Sequence, residues 1–446
     1  MTRQEKLRLI VQLSIPGILA QISFTVMFFI DQSMVGHLGN EALASIGLIE
    51  TTTWLMGSLA NAANLGFSVQ VAHYVGANDF EGARRVLRQA LSCCFIFSLA
   101  LALTGIIIHP FLPYWLGGGT DIAHNASLYF LIVCIGGIFF QMEGLAGSML
   151  KCAGNMKVPS MLSIMMCVLD VVFNYLFIYI LGYGVPGAAM GTVCAEVITA
   201  FCMMWFLIYR SKELSLAGHP GSFRPKADTV KTAFKIGVPM GIQYALMNGA
   251  QIISTTIVAP LGNVAIAANS AAITVESLCY MPGYGIAEAA TTLVGQGIGA
   301  GQRVLTQSIA RMSVGVGMLI MTFMGALMFI FAPELMALIT DQLDTIAEGA
   351  AVLRIKAFAE PFFAAAIVCN GVFVGAADTL KPAIMNLTSM WGVRLTLAWW
   401  LSQSHGLRGV WTAMAIELTF RGIIFLTRLF HGGWNKQLKL KHTTAK

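Results

Sequence analysis

The sequence predicts an all-α polytopic membrane protein: twelve transmembrane helices in two six-helix lobes, the second a parallel internal repeat of the first. Three observations predict it. Hydrophobic residues fill 57% of the chain and charged residues only 11%, roughly half the charge of a soluble protein of this length. Apolar runs of spanning length recur from end to end; their continuity excludes an outer-membrane barrel, which alternates over about ten residues. Features of the first half also return in the second after a shift of half the chain length.

The runs fall near 9–36, 46–74, 90–114, 126–149, 159–181, 187–209, 234–259, 264–297, 309–332, 349–374, 383–402 and 408–430. The charged start, Met1 to Lys6, leads into the first run with no small-residue cleavage site behind it, so it is read as a retained helix. Lys and Arg set the orientation. With the N-terminus in the cytoplasm, Arg3, Lys6, Arg84, Arg85, Arg88, Lys151, Lys157, the bases of 210–233 and the tail Lys436, Lys439, Lys441 and Lys446 fall inside. Only Arg354, Lys356 and Arg408 fall outside. The expectation is a multi-pass protein of the plasma (inner) membrane with both termini cytoplasmic. Residues 1–209 form the N-terminal lobe, 210–233 a cytoplasmic linker, and 234–446 the C-terminal lobe with its basic tail. The formal charge of +6 thus reflects loop asymmetry and not a nucleic-acid partner. The nine cysteines contain no CxxC pair and read as small apolar residues.

In the repeat, Pro16 meets Pro239, Leu38-Gly39-Asn40 meets Leu261-Gly262-Asn263, Gly76-Ala77 meets Gly299-Ala300, and Pro159 meets Pro382. Register then slips by one, so that Gly187 meets Gly409. Six spans per half, an even number, make both halves face the same way. Two such lobes with a cleft between them are the architecture expected of alternating access.

Asp31 lies deep in the first run, where an ionised carboxylate is costly unless protonated, paired or wetted. Its repeat partner is Ser254, and that of Asp170 is Val393. Acids present in one lobe and missing from the other point to an ion site in the N-terminal lobe. Asp170 and Asn174 are four apart and share a helix face; Thr192 on span six adds a hydroxyl. The four could hold Na⁺, or share protons, since close carboxylates raise one another's proton affinity. The alternative for Asp170 and Asn174 is helix–helix hydrogen bonding.

Glu196, one turn beyond Thr192, and Glu50, Glu143, Glu276 and Glu288 are further cavity candidates, as are Arg394 and Glu417. Glu417 is expected to pair with Arg421, four residues on, and Glu360 to lie near the outer end of span ten. Pro16 and Pro239, inside spans one and seven, are either fixed kinks or hinges. The eight histidines are dispersed near span ends, loops and tails, which argues against an enzyme or a cofactor.

These residues resemble the multidrug and toxic compound extrusion (MATE) family over the whole chain. The local marks are Ile30-Asp31-Gln32-Ser33-Met34-Val35-Gly36-His37-Leu38-Gly39, Val294-Gly295-Gln296-Gly297-Ile298-Gly299-Ala300-Gly301, and Asn174 followed by Gly182-Tyr183-Gly184-Val185-Pro186-Gly187. The resemblance implies export of amphipathic, often cationic compounds in exchange for H⁺ or Na⁺. It assigns the N-lobe cation site to Asp31, Asp170, Asn174 and Thr192, and matches Pro16 to a span-one proline proposed to bend. One departure concerns span seven, which offers Gln243, Asn248 and Gln251 but no acid, unlike many relatives of the NorM type. That pattern looks more like the DinF-type branch. The expectation is a monomeric cation-coupled antiporter that handles small amphipathic substrates in the lipid bilayer, the alternative being a flippase for lipid-linked precursors or other amphiphiles.

Overall fold

The computed structural model describes residues 1–435, and all regular structure within them is helical. The basic tail Lys436, Lys439, Lys441 and Lys446 lies outside the described residues. In order the helices are α1 (Arg3–Gly36), α2 (Asn40–Gly76), α3 (Phe80–Ile108), the short α4 (Leu112–Trp115), α5 (Thr120–Cys152), α6 (Lys157–Tyr175), α7 (Gly184–Trp205) and α8 (Ala227–Val258). They continue with α9 (Asn263–Gly299), α10 (Arg303–Ile330), the short α11 (Ala332–Ala337), α12 (Leu343–Ala357), α13 (Glu360–Gly375), α14 (Leu380–Leu387) and α15 (Leu395–His431). Single π-helical turns extend α6 over Leu176–Ile180 and α7 over Phe206–Arg210, and a longer π segment, Thr388–Arg394, joins α14 to α15.

Eight helical runs are long and apolar enough to cross a membrane on their own, and α12 with α13 makes a ninth, bent by 60°. The run Leu380–His431 holds two crossings, because Gly406 leaves helical geometry at φ 56 and ψ −136. With the more polar α2 and α8, of 37 and 32 residues, the crossings number twelve. Large apolar side chains such as Ile107, Phe201, Leu319 and Phe323 remain on the outside, as suits a lipid solvent.

The repeat is visible in the backbone. Gly39 and Gly262 share φ values of 109 and 100, and Asn78 and Gly301 share 57 and 70. Gly154 and Ala377 share 97 and 58. All three pairs are related by the same half-length shift that pairs Pro16 with Pro239. Gly184 and Gly406, at 60 and 56, stand one position closer together than that shift, which is the slip read from the sequence. Each half therefore turns between its helices with a left-handed residue at the same place, a geometry that favours glycine.

The chain folds into two compact units. One is built on Met1–Ile22 and the chain from Ile242 onward, the other on Ser23–Gly241. The division falls inside helices: α1 gives its first part to one unit and the rest to the other, and α8 does the same. Within the first unit, Gly17 and Gly285 let α1 lie close on α9, and a Cβ on Gly285 would meet the Ile18 nitrogen at 2.5 Å. Within the second, a Cβ on Gly237 would meet the Ala62 carbonyl of α2 at 2.8 Å. Ala62 is the repeat partner of Gly285. Small residues at such crossings drive helix association where lipid supplies no hydrophobic force.

Two expectations change here. Span ten is not one straight crossing over 349–374, since Pro361 at the start of α13 has no N–H to continue α12, and the axis breaks. Lys356, placed outside by its position near a span end, is fully buried, and Glu360 is fully buried with it at the break between α12 and α13.

Candidate functional site

The site lies in the unit Ser23–Gly241. Asp31 comes from the second half of α1, Asp170 and Asn174 from adjacent turns of α6, and Thr192 from α7. Asp170 and Asn174 are fully buried, whereas Asp31 is half-buried. The Asn174 amide nitrogen donates to Asp31 Oδ1 at 2.9 Å and to Asp170 Oδ2 at 3.1 Å, so one carboxamide joins both acids. Asp31 and Thr192 are the other side chains that act directly on the Asp170 carboxylate. The Thr192 hydroxyl also donates to the Ala188 carbonyl at 3.2 Å. Asp170 Oδ1 and Asn174 Oδ1 are buried without a hydrogen-bond partner.

Local structure explains the convergence. Gly191 has no side chain because Asn174 occupies that space: a Cβ there would strike Asn174 Oδ1 and its backbone. That contact seats α6 against α7 one residue from Thr192. Immediately beyond Asn174 the α6 helix widens into its π turn, a form found often at functional sites.

A cavity of about 110 Å³ opens beside the acids, lined by Asp31, Asn174, Thr192, Glu50, Thr53 and Tyr129 among others. Glu50 therefore belongs with the Asp31 site. Among the described residues no Lys or Arg acts on Asp31 or Asp170. Glu196, half-buried, lines a second cavity in this unit, and Glu143 has Lys151 within electrostatic reach.

The other unit handles its acids differently. Lys356 Nζ lies 3.0 Å from Glu276 Oε1 and 2.6 Å from Glu360 Oε1, with the Phe363 ring 4.5 Å away. Arg421 makes two bonds to Glu417, of 2.8 and 2.9 Å, and the Ser389 hydroxyl donates a third at 2.5 Å. Arg394 is half-buried beside Glu417 and Glu276. Buried acids are thus not confined to one lobe, as the repeat comparison suggested. In this unit Glu276, Glu360 and Glu417 are balanced by Lys356, Arg394 and Arg421. Glu288 accepts from the Gln21 amide at 3.2 Å. Pro16 and Pro239 lie within continuous stretches of α1 and α8. Sequence reading missed the Lys356 cluster; the signal available was the spacing Lys356–Glu360, four apart and just ahead of Pro361.

The MatE family model matches the chain twice, over residues 16–176 and 239–400, with the two starts on the repeat partners Pro16 and Pro239. The chain belongs to the MatE family, whose members are multidrug and toxic compound extrusion transporters. This MatE chain is 25% identical to a probable multidrug resistance protein NorM of Thermotoga maritima, over 98% of its own length and 95% of that protein's. It is 26% identical to a protein of the same description from Chromobacterium violaceum, over 94% and 92% of the two lengths. Its fold matches an outward-facing multidrug resistance MATE transporter of the MOP superfamily with a TM-score of 0.91 at 22% identity, covering 96% of both chains. The twelve-crossing, two-lobe architecture is that of this family.

Proposed function

We infer that this MatE transporter is a cation-coupled antiporter of the plasma (inner) membrane, with both termini cytoplasmic, that exports amphipathic, often cationic compounds by alternating access. Its coupling ion, H⁺ or Na⁺, binds at Asp31, Asp170, Asn174 and Thr192. The observation that carries this reading is the Asp31–Asn174–Asp170 cluster: two carboxylates in a membrane helix bundle, held by one neutral amide, with no base beside them. Such a pair is strongly unfavourable when fully ionised and is relieved by a proton or a metal cation. The unpartnered Asp170 Oδ1 and Asn174 Oδ1 are oxygen donors that suit either ion. Loading the pair changes the charge of the site, and it drives transport only as far as affinity differs between the two states of the protein. A flippase for pyrophosphate-bearing lipids would need several uncommitted bases, but Lys356 and Arg421 are both taken by glutamates, which leaves Arg394 beside Glu417 and Glu276 as the one intramembrane base of this unit without an ion pair among the described residues.

The test is drug efflux from proteoliposomes under separately imposed pH and Na⁺ gradients, comparing wild type with Asp31→Asn. Gradient-driven efflux by wild type that is lost in the variant supports the reading. Normal coupled efflux by Asp31→Asn would overturn it.

A further inference from the structure

Thr53 lines two cavities of the same unit. One is the cavity beside Asp31; the other, with room of about 160 Å³ for water, runs along Met56, Ser98, Gln141 and Glu196. A buried water needs only about 10–15 Å³ of such room and two to four polar partners, so the second cavity can hold several. Its polar wall is Thr53, Ser98, Gln141 and Glu196. Gln141 is 1% exposed; its amide donates to Asn64 Oδ1 at 2.6 Å, and its own carbonyl oxygen is buried without a partner. That oxygen is a hydrogen-bond acceptor held in place with no protein donor.

Glu196 stands four residues after Thr192 on α7, on the same helix face. The charged groups acting on it are Asp170 of α6 and Glu143 of α5, and Glu143 is in turn within reach of Lys151. Tyr129 of α5 lies within electrostatic reach of Asp31, Asp170, Glu50 and Glu196 together. The remainder of the cavity wall is largely apolar: Met56, Leu101, Val133 and Phe140. One carboxylate with so few oxygen neighbours is a poor cage for a metal cation and a suitable proton carrier through water.

We propose that Glu196 is a second proton-binding station, which exchanges the coupling proton with the Asp31–Asp170 pair through water in the two cavities that Thr53 borders. The step balances simply. A carboxylic O–H of the Asp pair breaks as its proton passes to water, a water O–H passes a proton on, and an O–H forms on the Glu196 carboxylate. This rests on the Asp31 site being the coupling site with H⁺ as its ion, and adds the route by which the site is loaded or emptied.

The experiment is infrared difference spectroscopy of the reconstituted full-length protein during a pH jump, following the carboxylic C=O stretch. Glu196→Gln is expected to remove one band, Asp31→Asn a different one, and Glu196→Asp to keep a shifted band. The Glu196 band should appear after the Asp pair responds. Gly137→Leu, which fills open space in the cavity wall, should slow that second phase at least tenfold. An unchanged infrared titration in Glu196→Gln, or a wild-type second phase in Gly137→Leu, overturns the proposal. Should Asp31→Asn alone leave the titration intact, the Asp31 reading fails, and the Glu196 band is judged separately.

Discussion

Asp170 and Asn174 stand one turn apart on α6 with their side chains joined at 3.1 Å, and each keeps one buried oxygen without a partner. A buried polar atom left unsatisfied costs about 1–3 kcal/mol. Asn174→Ala removes the donor shared by Asp31 and Asp170 and should lower thermal stability by that order. The loss should shrink as pH is lowered, because protons then neutralise the carboxylates that the amide had served, and should grow as Na⁺ is added, because the variant lacks one of the ion's oxygen donors and gains less from it. Thermal unfolding of detergent-solubilised protein across both series checks this, and a constant gap would assign the loss to packing alone.

Gly191→Ala places a methyl group against Asn174 and should reduce transport at least tenfold while the protein still inserts. Gly315→Ala, on a helix surface with open space around its Cβ, is the matched control and should be neutral or stabilising by about 0.4–1 kcal/mol. Transport and unfolding measured together on both variants separate a distorted site from a general helix effect.

Lys356→Met leaves Glu276 and Glu360 without their ammonium partner. Removing one side of a buried ion pair costs about 3–5 kcal/mol, more than the pair itself contributes. The double variant Lys356→Met/Glu360→Gln removes one of the stranded charges and should recover part of the loss. Unfolding midpoints of the two variants check this; a double variant no more stable than the single would mean the carboxylates are not the source of the cost.

Ala377 holds a left-handed φ of 58 where its repeat partner is Gly154. A Cβ in that conformation costs roughly 1–2 kcal/mol, partly offset by the greater freedom of an unfolded glycine. Ala377→Gly should therefore stabilise the protein by about 0.5–1 kcal/mol, while Gly154→Ala should destabilise it. Denaturation of the two variants gives opposite signs if the turn is the cause.

Most of the twelve crossings were legible because they are long apolar runs, and the repeat because its turns fall on residues that tolerate positive φ, such as Gly39 and Gly262. The meeting of Asp31 with Asp170 and Asn174 was readable as a hypothesis, since helical spacing places Asp170 and Asn174 on one face. Nothing in the chain order brings α1 to them; that contact depends on tertiary packing, in which Val35 of α1 shares a buried cluster with Ile178, Val185 and Ala188. Lys356 was misplaced for a physical reason. Counting bases by proximity to span ends treats every such Lys as solvated, and a pair of glutamates from α9 and α13 can bury one instead. Glu50 likewise could not be given a depth until α2 was placed beside Asp31.

The close approach of Gly17 to Gly285 joins positions separated by more than half the chain. A ribosome adds roughly 5–20 residues per second, so the first half of α1 is made tens of seconds before its docking surface on α9 exists. The first half of α8, by contrast, finds Ala62 of α2 already synthesised. During biogenesis the unit Ser23–Gly241 can therefore close while the N-terminal helix still waits in the membrane for a surface made well into the second half of synthesis. The earliest segment to leave the ribosome is thus among the later ones to be seated.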